Sequence, residues 1–134
     1  MQFPRLLSRP VAHAHCDLPC GVYDPAQARI EAESVMKIAE KYQASDDEVF
    51  RQRAILIKEH RADLVKHHLM VLWADYFKPP HVEQFPELHD LFWRATKAAG
   101  AAGGKGSVDP ADGQKVLDLV EVISDIFWQT KKAA

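Results

Sequence analysis

Residues 15–35 read HCDLPCGVYDPAQARIEAESV. The second half of this stretch starts a helix. Asp24-Pro25 pairs a favoured N-cap residue with proline at the first helical position, where the missing N–H costs nothing. Ala28, Ala32 and Val35, continued by Ala39 and Tyr42, then recur at alternating spacings of 4 and 3, which is one apolar helix face. The first half is a loop. It holds both cysteines of the chain, with His15 directly before Cys16 and the turn formers Pro19 and Gly21 on either side of Cys20.

The helical period continues along the chain. The first helix stops near Gln43-Ala44, and Ser45 with Glu48 three residues on reads as a capping box. A long second helix is expected over residues 46–76. Its stripe is Phe50, Ala54, Ile57, Arg61, Leu64, His68 and Val71, with two polar members. Lys78-Pro79-Pro80-His81 ends it, because proline removes a donor and restricts the residue before it. A third helix is expected over residues 82–99, with Phe85, Leu88, Phe92, Ala95 and Ala99 on one face. Residues 100–107, GAAGGKGS, read as a loop. Asp109-Pro110 repeats the cap-plus-proline start, and Val116, Val120, Ile123 and Phe127 give the fourth face before Lys131-Lys132. No segment alternates with period two. The expected fold is all-α, an antiparallel four-helix bundle with an N-terminal metal-binding hook.

Composition narrows the function. The chain has 134 residues, 47% of them hydrophobic and 27% charged, enough for one domain with one core. A net charge of −2 gives no electrostatic case for nucleic acid. No apolar run of about 18 residues exists, so no membrane span is expected. Two cysteines are too few for a disulfide scaffold.

The loop has the donors of a metal site. Cys16 and Cys20 supply two thiolates and His15 an imidazole, one side-chain ligand short of a closed zinc site. Residues 1–14, MQFPRLLSRPVAHA, carry two arginines, two prolines and no acid, and end in the small-x-small form Ala12-His13-Ala14. They read as a removable leader without the apolar stretch of an export signal. A cut after Ala14 gives His15 a free α-amine. That amine, the backbone nitrogen and thiolate of Cys16, and the thiolate of Cys20 then form a planar N2S2 set, the geometry suited to Ni(II) or Cu(II). The His15 imidazole is left to cap the plane. Before the cut, the His15 nitrogen is an amide with no free lone pair.

The loop and first helix closely resemble those of nickel-dependent superoxide dismutase. Lys66-His67-His68, Val71-Leu72-Trp73, Asp75-Tyr76-Phe77-Lys78-Pro79-Pro80-His81 and the tail Phe127-Trp128 with Lys131-Lys132 are similar to that family too, so the resemblance spans residues 15–134. It implies conversion of superoxide to dioxygen and hydrogen peroxide by Ni(II)/Ni(III) cycling, with one nickel ion per subunit. It implies a four-helix bundle assembled as a homohexamer, with hooks near subunit contacts. The nickel ligands fall on His15, Cys16 and Cys20. Glu31 and Arg61 match the residues that hold the imidazole. Tyr23 matches the tyrosine beside the open face of the metal, and Asp17 and Tyr76 match residues that order the hook and its water. Lys78 is a candidate attractive charge for the anion.

The residues support that carry-over separately. Arg61 lies on an apolar stripe, where a lone charge is costly, and Glu31 borders the apolar face of the first helix. One Glu31–His15–Arg61 network would satisfy all three. Blander readings stand beside these. The cysteines alone fit a loop disulfide, Arg61 a snorkelled side chain, Glu31 an exposed carboxylate and Tyr76 a packing aromatic. His68 reads as a satisfied core histidine, and His60, His81 and His89 as structural or solvated. Trp73, Trp93 and Trp128 read as core or subunit-interface residues. The expected organisation is a leader at residues 1–14, a hook at 15–24 and a bundle at 25–134. The expected partners are superoxide, copies of the same chain and a processing protease, in the cytoplasm. A nickel or copper storage protein using the same hook is the alternative.

Overall fold

Apolar faces repeating at helical spacing must be buried against one another, and they are. The computed structural model describes residues 21–133. Helix α1 spans Ala26–Gln43, α2 Glu48–Val71, α3 Pro79–Gln84, α4 Leu88–Ala102 and α5 Pro110–Ala133. A π-helical turn, Leu72–Tyr76, extends α2. Helix α1 packs on α2 and α5, and α4 packs on α5 and α2, which closes a four-helix ring around one core. Gln43 at the end of α1 donates to the Val108 carbonyl just before α5, so these two helices run antiparallel. No strand occurs among the described residues, and no helix among them is long and apolar enough to cross a membrane.

Three of the four expected faces lie in the core. Ala28, Ala32, Val35 and Ala39 of α1 are buried, as are Leu88, Phe92, Ala95 and Ala99 of α4. Val116, Val120, Ile123 and Phe127 of α5 are fully buried; each large side chain of this kind stabilises the fold by about 1.5–3 kcal/mol. Small residues let the helices approach closely. A Cβ on Gly113 of α5 would stand 2.6 Å from the Met36 Cα of α1, so only glycine fits there.

The second face is displaced from the expected one. The buried residues of α2 are Ala54, Lys58, Ala62, Val65 and Leu69, while Ile57, Arg61, Leu64, His68 and Val71 lie half-buried beside them. Lys58 occupies a core position because its ammonium donates to the Ala102 carbonyl at 2.6 Å and the Gly103 carbonyl at 3.4 Å. These are carbonyls that the end of α4 leaves without helical partners. Burial lowers the Lys58 pKa, with Glu59 and Asp112 opposing.

Caps and boundaries also differ from expectation. Helix α1 starts one residue later than expected, with Asp24 Oδ1 accepting from the Ala26 N–H at 2.8 Å. Asp47, not Ser45, caps α2 by accepting from the Phe50 N–H, while Ser45 accepts from the Asp47 N–H. The single helix expected over residues 82–99 is two, α3 and α4, interrupted at Phe85-Pro86-Glu87. Pro86 has no N–H to give and disfavours helical geometry at Phe85, whose ψ is 77°. Helix α4 in turn runs on through Ala102, into the expected loop.

Candidate metal centre

Among the described residues, no group of three or more His, Cys, Asp or Glu side chains could hold a metal ion. His15, Cys16, Asp17 and Cys20 lie outside the described residues, as do residues 1–14. The chain enters the described part at Gly21, with φ of 68°, a left-handed conformation that glycine adopts without a side-chain penalty. It is then fixed by Pro25, which is fully buried at the start of α1. Two structures flank this entry point.

The first is an ion pair. Arg61 of α2 donates through one nitrogen to both carboxylate oxygens of Glu31 on α1, at 3.1 and 3.2 Å. The Glu31 side chain is 13% exposed and that of Arg61 41%. The pairing answers the cost of an arginine beside the core stripe. It brings together two of the three members expected in the Glu31–His15–Arg61 network; the third lies outside the described residues. Glu31 is about 9 Å of helix rise beyond Pro25. The six Cα-to-Cα steps from His15 to Gly21 span at most about 20 Å when extended. That extended length exceeds the rise from Pro25 to Glu31, and N and S donors of this kind suit nickel.

The second is an aromatic cluster. The Tyr23 and Tyr76 ring centroids are 5.7 Å apart. Tyr76 also meets Phe127 at 4.4 Å, Phe77 at 5.1 Å and His81 at 5.5 Å, the last nearly parallel. Its hydroxyl is 2.7 Å from the Thr130 hydroxyl of α5, so it is tied inward and not left at the surface. The π-helical turn sets this position. The Phe77 N–H donates to the Leu72 carbonyl five residues back. One extra residue per turn sends Phe77 into the core after Leu72 and leaves Tyr76 at its rim, half-buried. π-helical turns occur often at functional sites. No pattern in the sequence announced this one, nor the Thr130 contact.

The remaining candidates are dispersed. His68 is half-buried, not core, and lies edge-on to His67 at 5.3 Å. Burial lowers its pKa, the neighbouring His67 adds to that, and Glu31 opposes it. His60 is exposed, and His89 is exposed with its ring against Trp73. His81 accepts from the Lys78 N–H through Nδ1, a structural role, and Lys78 itself is exposed. Trp93 and Trp128 are exposed and Trp73 half-buried, so none of the three is a core residue of the single chain.

Known proteins share this fold. The family described as nickel-containing superoxide dismutase matches residues 10–131. The chain is similar to the nickel superoxide dismutase of Streptomyces seoulensis, with 67% identity over 120 residues and 90% of each chain covered. It is 64% identical to that of Streptomyces coelicolor, again over 120 residues and 90% of each chain. A crystal structure of Ni-containing superoxide dismutase, with nickel ligation corresponding to the oxidized state, superposes with a TM-score of 0.84. It is 66% identical and covers 88% of this chain and 99% of its own. An apo structure of nickel superoxide dismutase superposes with a TM-score of 0.80 at 62% identity, covering 84% of this chain and 99% of its own. The chain belongs to the nickel-containing superoxide dismutase family.

Proposed function

We propose that residues 1–14 are removed, and that His15, Cys16 and Cys20 then hold one nickel ion per subunit at which superoxide is consumed. The chain is a superoxide dismutase with a nickel cofactor: two superoxide ions and two protons give dioxygen and hydrogen peroxide. The observation that carries the site is the Glu31–Arg61 pair, anchored on two helices within reach of the loop. When bound, nickel supplies the Ni(II)/Ni(III) couple that takes an electron from one superoxide ion and returns it to the next.

The chain's own groups do the rest. Removal of the leader frees the His15 α-amine, with an ordinary pKa of about 8, as a donor. Glu31 accepts the imidazole N–H of His15, and Arg61 fixes that carboxylate. A carboxylate of this kind sets both the ring orientation and which nitrogen keeps the proton. Asp17 helps order the loop. Tyr23 and Tyr76 stand at its approach, narrow the opening to a small anion and order water there. Lys78 adds a weak attraction for the anion. A storage protein using the same loop needs no oriented imidazole, so the ion pair favours the enzyme.

The chain works as a homohexamer in the cytoplasm, after cleavage by a separate protease. Trp93 and Met70, 61% and 59% exposed on the single chain, fit burial between subunits. The test compares chain beginning at His15 with chain that retains residues 1–14, each loaded with nickel. Superoxide decay and the paramagnetic signal of Ni(III) are measured. Only the shorter chain should show both. Equal turnover in the two would overturn the amine-dependent site, and nickel binding without turnover in either would favour storage.

A further inference from the structure

Thr130 is almost completely buried, one of only two buried polar or charged residues among those described. Its hydroxyl has two oxygen neighbours. Oγ1 is 2.7 Å from the Phe127 carbonyl oxygen and 2.7 Å from the Tyr76 hydroxyl. Two oxygens at that separation need a hydrogen between them. A carbonyl cannot supply one, so the single hydrogen of Thr130 goes to Phe127. The hydrogen in the other contact must then come from Tyr76. The phenolic proton of Tyr76 is therefore committed inward, to Thr130, and the hydroxyl has only lone pairs left for anything else it meets.

We infer that Thr130 is a positioning residue for the superoxide reaction, holding Tyr76 as a hydrogen-bond acceptor toward the loop and its water. This rests on the reading that places Tyr76 beside the nickel site. The ring is also clamped, by Phe127, Phe77 and His81, so the hydroxyl turns little. Superoxide and peroxide are themselves acceptors. Tyr76 in this state does not bind them or give peroxide its proton. It holds a donor, a water or a loop N–H, and so orients the group that faces the anion. The role is confined to Tyr76: Thr130 touches the reaction only through it.

The experiment uses nickel-loaded chain beginning at His15 and labelled with carbon-13 at the tyrosine Cζ. The chain has three tyrosines, and Tyr76→Phe identifies the Tyr76 resonance by its loss. Thr130→Val removes the acceptor at constant shape, and Thr130→Ser keeps it. In Thr130→Val the Tyr76 resonance should move, turnover should fall about tenfold, and the pH profile of turnover should shift. Thr130→Ser should restore all three. If Thr130→Val folds poorly, the double variant with Tyr76→Phe decides, because it should turn over no more slowly than Tyr76→Phe alone. An unmoved Tyr76 resonance in Thr130→Val overturns the inference. Equal loss of turnover in the Val and Ser variants also overturns it, in favour of packing. A moved resonance with unchanged turnover removes Thr130 and Tyr76 from the site but leaves the nickel reading standing. Absence of turnover in the unmutated chain is a separate result, and it overturns the nickel reading instead.

Discussion

The Glu31–Arg61 pair and the Tyr76–Thr130 pair both hold a polar side chain beside the entry of the loop, by opposite means. The first is charged, and its arginine is 41% exposed. The second is neutral and reaches into the core, with Thr130 3% exposed and Tyr76 half-buried at the rim. A charged pair at a solvent edge contributes little to stability and weakens as salt is raised. A buried neutral pair fixes geometry, and losing one partner leaves the other unsatisfied at a cost of about 1–3 kcal/mol. The difference suits their proposed tasks. An imidazole that must stay correctly protonated calls for a carboxylate. A tyrosine that must not donate calls for a place to keep its proton.

Of the effects that separate the two pairs, the largest breaks the charged side. Arg61→Ala releases Glu31 and, on the proposed role of that carboxylate, loosens the His15 imidazole, so turnover should fall about 10–100-fold. Thermal stability should fall by only about 1 kcal/mol. Steady-state decay of superoxide and thermal melting, measured on one preparation, check both. Arg61→Lys keeps the charge but offers a single point donor in place of a guanidinium fork, so the loss should be smaller, about threefold to tenfold. Turnover as low as in Arg61→Ala would show that guanidinium geometry, not charge, is what matters.

Salt separates the two pairs more finely. A double-mutant cycle over Glu31→Gln and Arg61→Met should give a coupling of up to about 1 kcal/mol at low salt, shrinking as salt is raised. The matching cycle over Tyr76→Phe and Thr130→Val should not change with salt. A salt-sensitive second cycle would contradict the neutral reading of that pair.

The smallest effect is in pH. His68 has a folded-state pKa below its ordinary 6.5, chiefly from burial, with His67 adding and Glu31 opposing. As pH falls, the unfolded chain takes up this proton first. Stability should therefore fall as pH drops from 6.5 to the lowered value, then level off. His81 acts in the same direction, its pKa lowered by burial and by Lys78. His68→Gln should reduce the slope without abolishing it, as followed by denaturant midpoints between pH 4.5 and 7.5. An unchanged slope would place the dependence on His81.

The same contrast explains what could be read from the sequence. Faces made of apolar residues alone were legible: those of α1, α4 and α5 show the expected 3- and 4-residue spacing in the core. The face of α2 was not, because its centre is a lysine. A hydropathy pattern rejects Lys58, and so runs one position aside, through Ile57 and Arg61. Only the carbonyls at the end of α4, distant in sequence, make that lysine tolerable in the core. The candidate site divides likewise. Glu31 and Arg61 were named through the family resemblance, with the cost of a charge beside an apolar face as support, and they do pair. Thr130 was missed because one threonine in an apolar helix carries no such demand. The π-helical turn was missed because its hydrogen bond leaves no periodic trace in so short a segment.

The central claim is that the α-amine of His15 is itself a donor, so that the bundle becomes an enzyme only when that amine is free. The most direct test takes chain beginning at His15, with the amine free in one sample and acetylated in the other. Both are loaded with nickel and assayed for superoxide decay. The free amine should support turnover and the acetylated chain should lose at least about a hundredfold, or roughly 2.7 kcal/mol of barrier. Equal turnover in the two samples would contradict the account.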